Sequence, residues 1–368
     1  MLFEILYIAF VLTVITQLLY YFVIFGQFTF FEKNKKNISK LLPISILICA
    51  KNEAQNLRQN LPFICCQEHA NFEIILVNDH STDETLEVMN SIKTEFNKVA
   101  ITIINLTNSK SNKKNALTTG IERAKNNYLL LTDADCKPNS INWINEMSAN
   151  FNNQKTIVLG YGAYQKIEKS WLNKLIRFET LLTAIQYFSY AKIGLPYMGV
   201  GRNIAYTKDN FNKTKGFSSH KNIKSGDDDL FVNEIATNKN TAICYSENSF
   251  TISKSHTNFK KWLQQKRRHI STATHYKSTH KVLLGLFYVS QFLFWFLAIV
   301  LLTIGFNTNT ILLLILIRIG FQYIIFGLTA KKLDEKDLIL SIPFLELFLI
   351  VIQMSIFIQN LISKPKHW

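Results

Sequence analysis

Four stretches of this 368-residue chain are apolar over about twenty residues or more: Ile5–Phe31, Leu283–Gly305, Thr310–Thr329 and Leu338–Ile362. In hydrocarbon a backbone N–H or C=O finds no water, so such stretches fold as helices long enough to cross a bilayer. The first is too long for the apolar core of a signal peptide. It has only Glu4 as an early charge, and no small-residue cleavage site follows, so it reads as an anchor. Lys33, Lys35, Lys36 and Lys40 come next, which places the following chain in the cytoplasm and the N-terminus outside. The turn Phe306–Asn309 is uncharged and suits the outside, whereas Lys331, Lys332 and Lys336 in the turn Lys331–Asp337 suit the inside. Lys364 and Lys366 then fall outside, against the same asymmetry, so the last stretch is either re-entrant or miscounted. Arg318 and Glu346 lie within the apolar stretches. Charge in lipid is costly, and the two are expected to pair between neighbouring helices rather than to serve a substrate.

A formal charge of +15 and a pI of about 9.4 point to anionic partners. In a membrane chain these are phosphorylated substrates or anionic lipid rather than nucleic acid. The five cysteines include the adjacent pair Cys65 and Cys66 and show no repeated C-x-x-C spacing, which suits buried thiols and neither a disulfide framework nor a zinc site. From Pro43 the pattern becomes short apolar runs between polar helical stretches. Strands are expected at Ile44–Ala50, Glu73–Val77, Ala100–Leu106 and Tyr128–Thr132. Helices are expected at Glu53–Gln67 (interrupted by Pro62), Asp83–Phe96 and Asn112–Lys125. This alternation predicts an α/β fold, a Rossmann-like, mostly parallel sheet with helices on its faces. No G-x-x-x-x-G-K-[ST] is present, and Gly199-Val200-Gly201 lacks the third glycine of a dinucleotide fingerprint.

The apolar run Leu129-Leu130-Leu131 ends in Thr132-Asp133-Ala134-Asp135. If the strand continued, Asp133 and Asp135 would point the same way and offer hard oxygen ligands to Mn²⁺ or Mg²⁺; a solvated turn with two acids is the simpler alternative. Open α/β sheets gather ligands at the carboxyl ends of their strands. That edge would also collect Lys51-Asn52-Glu53, Asn78-Asp79-His80-Ser81-Thr82-Asp83 and Lys113-Lys114, a set suited to a nucleoside diphosphate.

In this order the segments resemble the family 2 glycosyltransferases, membrane-embedded inverting enzymes with a GT-A fold. The resemblance covers about Pro43 to His269. Asn52-Glu53 looks like the family's Asn-Glu, and Val77-Asn78-Asp79-His80-Ser81-Thr82-Asp83 like its V-D-D-G-S-T-D, with Asn78 in place of the first acid and His80 in place of glycine. Lys113 matches a lysine three residues before Ala-Leu, and Asp133-Ala134-Asp135 matches the D-x-D. The resemblance implies that Glu53, Asp79, Lys113 and Asp133 bind a nucleotide sugar, and that Asp133 and Asp135 hold the metal. Gly199-Val200-Gly201-Arg202-Asn203 is similar to a Gly-rich acceptor-side segment, which puts Gly201 and Arg202 near the acceptor or the diphosphate.

Ser225-Gly226-Asp227-Asp228-Asp229-Leu230 is either an acidic helix cap or, by resemblance, the segment whose aspartate deprotonates the acceptor. Alignment on Gly226 selects Asp228 and alignment on the Asp-Leu pair selects Asp227. Gln265-Lys266-Arg267-Arg268-His269 resembles the family's Q-x-x-R-W, with His269 replacing tryptophan, which counts against processive polymerisation. Gln265, Arg268 and His269 would then serve the acceptor and diphosphate side, or the basic run Phe259–Ile270 is an interfacial helix touching lipid phosphates. Trp171–Phe188 is either core-facing or interfacial.

The expected layout is an anchor at 1–31, a cytosolic GT-A domain with interface helices at 40–270 and about three membrane helices at 282–362. By resemblance to the family, the implied activity is metal-dependent transfer of a sugar from a UDP-linked donor to a lipid or lipid-linked glycan at a bacterial inner membrane. A processive polysaccharide synthase, or a nucleotide-sugar-binding protein without turnover, is the alternative.

Overall fold

The computed structural model describes residues 1–32, 42–107, 111–223 and 225–363. Lys33, Lys35, Lys36, Lys40, Lys364 and Lys366, on which the charge asymmetry partly rests, lie outside the described residues. The helices that matter below are α1 (Leu2–Thr29), α2 (Ala54–Cys65), α3 (Thr85–Glu95), α4 (Lys113–Arg123), α5 (Trp171–Lys192), α6 (Asp229–Ile235), α7 (Phe259–Thr272), α8 (Ser278–Ile304), α9 (Thr308–Lys332) and α10 (Ile342–Ile362). The strands are β1 (Ile44–Ala50), β2 (Phe72–Asp79), β3 (Ala100–Leu106), β4 (Tyr128–Leu131), β5 (Cys136–Pro138), β6 (Ile157–Leu159), β7 (Gly162–Tyr164), β8 (Ile204–Thr207), β9 (Thr241–Ile243) and β10 (Thr251–Ser253). The chain divides into two units, Asn34–Ile167 with Pro196–His256, and Met1–Lys33 with Glu168–Leu195 and Thr257–Trp368. The boundary placed near residue 270 from the sequence falls here at His256, and residues 168–195 group with the apolar helices.

The first unit is a seven-stranded sheet in the order β3-β2-β1-β4-β8-β6-β9, with a small second sheet β5-β10-β7. All neighbours in the large sheet are parallel except β8, which runs against both β4 and β6. β1 and β2 are buried almost throughout, as strands covered on both faces must be. Their two faces are filled separately because side chains alternate. Ile44, Ile46, Ile48, Ile74 and Leu76 belong to one core with Leu57, Leu61 and Ile64 of α2 and Val88, Met89 and Ile92 of α3. Leu47 and Val77 face α4 on the other side. A methyl group at Gly120 would stand 3.2 and 3.1 Å from their side chains, so glycine lets this helix sit close. Ala50 is level with Asn78, and Leu47 with Leu131, which opens the carboxyl ends of β1, β2 and β4 on one edge. Pro62 does not interrupt α2. It lies in the last turn, where it leaves the Arg58 carbonyl without its helical donor, and the helix ends three residues on at Cys65.

The second unit holds α1, α8, α9 and α10, four helices long and apolar enough to cross a membrane, which mark a membrane protein. The expected pair is present. Arg318 donates to Glu346 at 2.6 and 2.8 Å, with both side chains fully buried. Gln291 and Trp295 also donate to Glu346, and Arg318 reaches Gln17 and Gln322. α5 follows the core-facing alternative: Leu175, Phe178, Leu182 and Ile185 are buried and only Trp171 stands out. Its Arg177 donates to Glu335 at 2.8 Å and to Asp337 at 2.9 Å. α7 buries Trp262, exposes Lys260 and Lys261, and pairs Lys266 with Glu179 of α5.

Candidate active site

The turns after β1 and β2 lock to one another. Asn52 and His80 both adopt left-handed backbone (φ 56° and 59°), which an asparagine tolerates and a histidine adopts less often. The Asn52 amide donates to Ser81 Oγ at 2.9 Å, and its side-chain oxygen accepts from the Thr82 amide at 2.8 Å. Glu53 N donates to Thr85 Oγ1, and Ala54 N to Asp83, so Asp83 ties the starts of α2 and α3 together. Asn78 is spent on Asn105 of β3. The Ser-Thr-Asp segment is therefore scaffold.

Asp79 emerges from that scaffold almost buried. One oxygen bonds His80 Nδ1 at 2.8 Å and the other accepts from Ser111 Oγ at 3.0 Å, while Lys51 donates to the same hydroxyl at 2.9 Å. Glu53 accepts from Asn56, and burial, then the charges of Asp135, Asp133 and Asp83, push its carboxyl up.

β4 stops at Leu131, so Asp133 and Asp135 stand in the turn to β5 and do not alternate on a strand. Thr132 Oγ1 donates to the Arg202 carbonyl at 2.9 Å and pins that turn. Lys113, in the first turn of α4, donates to Asp133 at 2.9 Å and lies 3.0 Å from Asp227. One ammonium thus joins the acid pair of the first half to the acid run of the second. Burial and the neighbouring Asp133 raise the Asp135 carboxyl. Two carboxylates that repel one another in a half-buried turn suit a divalent cation. Among the described residues no group of three or more His, Cys, Asp or Glu is placed to hold a metal. A cation on this pair would complete its shell with substrate oxygens and water.

The three consecutive acids do different things. Against the opposing effect of burial, Lys113 holds Asp227 below the usual carboxylate range. Asp228 is pushed up to about 7, by burial first and then by Asp227 and Asp229. Its carboxylate accepts from the Gly201 amide at 2.6 Å and from the Asp229 amide at 2.7 Å, so it also begins α6 as the helix-cap alternative foresaw. Gly201 belongs here by contact, since a side chain at that position would meet Asp228 at 3.2 Å. Asp229 is buried and accepts from the Leu230 amide. Lys113, Asp133, Gly201, Asp227 and Asp228 line one cleft with Cys49 and Thr132.

Arg202 spends its hydrogen bonds on the second sheet, while its charge acts on Asp135. It donates to the Ala163 carbonyl and to Ser253 Oγ, both at 3.0 Å, and lies 4.1 Å from the Tyr164 ring centre, bracing β7 and β10. Gln265, Arg268 and His269 sit on α7 in the other unit. Lys114, grouped with Lys113 at the phosphate-binding edge from the sequence, instead donates its buried ammonium to the His220 and Ile223 carbonyls at 2.8 and 2.7 Å. Burial pushes it down to about 8, against the charges of Asp227, Asp229 and Asp228. Consecutive helical residues point about 100° apart, so Lys114 holds the loop that delivers the acid run while Lys113 enters the cleft. Sequence reasoning missed Ser111, since nothing in the sequence pairs it with Asp79.

Residues 45–212 match the family described as Glycosyl transferase family 2. The protein described as "Probable glycosyltransferase YdaM" of Bacillus subtilis (strain 168) is 27% identical over 164 residues, covering 43% of this chain and 39% of that protein. A poly-beta-1,6-N-acetyl-D-glucosamine synthase of Staphylococcus aureus (strain COL) is 26% identical over 122 residues, covering 33% and 29%. The match thus spans well under half the length of these curated relatives. Among solved structures, the mannosyltransferase PcManGT of Pyrobaculum calidifontis, in complex with GDP-Man and Mn²⁺, superposes with a TM-score of 0.61 at 15% identity over 94% of this chain and 99% of that one. At that identity the likeness is one of fold. The strand order, the acid-lined edge and these similarities agree: residues 45–212 form a glycosyl transferase family 2 domain with a GT-A fold.

Proposed function

We propose that this protein transfers a sugar from a nucleotide-diphosphate sugar, UDP-linked, to a hydroxyl of a lipid or lipid-linked glycan, with inversion at the anomeric carbon and with the family domain in the cytoplasm. The observation that carries the reading is the Lys113 ammonium between Asp133 and Asp227, with Asp228 next in the chain. Donor-side and acceptor-side acids share one cleft.

The acceptor hydroxyl gives its proton to Asp228 as its oxygen bonds to the anomeric carbon, and the bond from that carbon to the diphosphate oxygen breaks with its electron pair on the leaving group. Asp228 suits this role better than Asp227, because a carboxylate raised to about 7 is basic enough to accept a proton at neutral pH. Asp227 is held ionised and orients Lys113. Lys113 stands where charge develops on the leaving diphosphate. Asp133 and Asp135 would hold Mn²⁺ or Mg²⁺, which neutralises the diphosphate. Glu53 and Asp79 flank the donor side, Asp79 fixed by Ser111 and His80 to meet base or ribose. The apolar helices and the charge of +15 favour an acceptor that resides in the membrane.

A processive synthase is the second reading, favoured by the name of the Staphylococcus relative. His269 in place of tryptophan speaks against it. The test is transfer from a panel of radiolabelled nucleotide sugars by membranes containing the protein, with and without Mn²⁺, beside Asp133→Ala and Asp228→Ala. Metal-dependent label in the lipid extract, absent in both variants, is expected. Label in high-molecular-weight polymer would select the synthase. Unchanged transfer by Asp228→Ala would remove the assigned base.

A further inference from the structure

We infer that the fourth apolar stretch does not cross the bilayer but enters and leaves it on one face, seated among the acyl chains of a single leaflet. The argument lies wholly within the membrane-helix unit. α1 and α8 are antiparallel: Phe3 and Tyr7 meet Phe306 at tilted and edge-on angles, Phe10 stacks with Phe294, Gln17 bonds Ser290, and Tyr20 bonds the Leu283 carbonyl. α1 and α9 are parallel: Arg318 reaches Gln17, Phe321 meets Phe22, and Thr329 bonds Thr29. Three crossings are thus defined. One face carries the start of α1 and the α8–α9 turn. The other carries the ends of α1 and α9, the start of α8, and α7, which leads into α8.

The segment after α9 leaves from that second face and can be followed by its neighbours. Ile339 lies opposite Gly327, where an added methyl group would stand 3.9 Å from it. Tyr323 donates to the Leu340 carbonyl at 3.4 Å, and Arg318 grips Glu346. The partners on α9 run backwards from 327 to 318, so this leg descends beside α9 toward mid-bundle. A crossing helix would continue toward Thr308 and Ile304. Instead the partners pass to α8 and run backwards again: Trp295 and Gln291 at Glu346, then Tyr288 at the Ile350 carbonyl. The helix finishes against α7. Arg267 donates to the Gln359 carbonyl at 3.2 Å, to Asn360 Oδ1 at 2.9 Å and to the Ser363 carbonyl at 2.7 Å. Both ends of the segment therefore stand on the α7 face. Length and apolarity alone, which mark 336–362 as a possible span, do not distinguish crossing from return.

The occupant follows from continuity with the crossing helices. Phe344, Phe348, Val351, Ile358 and Leu361 recur at helical spacing along α10 and are all exposed, a stripe left open to lipid. The polar node at Glu346 satisfies the deepest part of the segment. Ser363, held by Arg267 of α7, thus stands on the face that carries Lys331 and Lys332.

The test is independent of activity. The full chain, tagged with different epitopes at its N- and C-termini, is placed in sealed membrane vesicles of one orientation and treated with external protease. Detergent-opened vesicles establish that both tags can be cut. Three crossings predict that protease removes one tag and spares the other, and that vesicles of the opposite orientation reverse the pattern. Removal of both tags, or protection of both, from the same side would mean an even number of crossings and overturn the inference.

Discussion

Three adjacent aspartates differ in role because of what each one faces. Asp227 faces an ammonium, and Asp228 faces backbone amides and two like charges. If Asp228 is the base, activity depends on its ionised form and falls as pH drops through about 7. Asp228→Asn should lower kcat by about 10³, within the usual range of general-base catalysis, while donor affinity changes little. Asp227→Asn provides the sharper check. Removing a negative neighbour makes Asp228 easier to ionise, so the acid limb of its pH–rate profile should move to lower pH. A limb that stays in place, or moves up, would assign the limb to another group. Linkage gives a further sign. A carboxyl raised above its unfolded value of 3.8 costs stability as pH rises from that value through about 7. The melting temperature of Asp228→Asn relative to the parent should therefore climb between pH 4 and 8, as followed by calorimetry.

At the scale of elements, α4 does two jobs with two adjacent lysines. Lys113 enters the cleft and Lys114 is spent on the loop before α6. Lys114→Met leaves two carbonyls without their donor in a buried place. The expected cost is about 1.5–3 kcal/mol, the range for hydrogen bonds to a charged group, read as a lower denaturation midpoint. Because the loop carries Asp227 and Asp228, kcat should fall while donor affinity holds. Lys113→Met should lower kcat too, and in addition weaken donor binding, measured by calorimetric titration with the nucleoside diphosphate. The interlocked turns after β1 and β2 explain why Asn52 and Thr82 matter without touching chemistry: they fix where Glu53 and Asp79 begin.

At the scale of the molecule, a polar node holds helices that share no hydrophobic driving force in lipid. Arg318 and Glu346 join α9 to α10, and Gln17, Gln291 and Trp295 bring in α1 and α8. Removing either charge alone strands the other. Glu346→Ala or Arg318→Ala should cost about 3–5 kcal/mol, whereas the double replacement by leucine should cost less than the sum of the two. Thermal unfolding in detergent measures both. Costs that add would show that the two residues do not depend on one another.

The four alternating strands and their helices were legible along residues 43 to 132 because parallel strands under helices are apolar on both faces and amphipathic helices separate them. The apolar helices were legible because lipid accepts little else. The acids at strand ends were legible because topology sends those ends to one edge. What the chain could not reveal locally needed partners far apart in sequence. Lys113 meets Asp227 across 114 residues (227 minus 113), and nothing near either predicts it. Which of the three acids is basic depends on the burial of Asp228 between two like charges and on a lysine from α4 that holds Asp227 down. Arg202 reads like a diphosphate ligand, and the sequence does not show that its hydrogen bonds go to Ala163 and Ser253 while its charge acts on Asp135. The last apolar stretch is long enough to cross. That it turns back is decided by Arg318, Tyr288 and Arg267, because contacts between helices, and not hydropathy, set the path of a helix whose length permits either course.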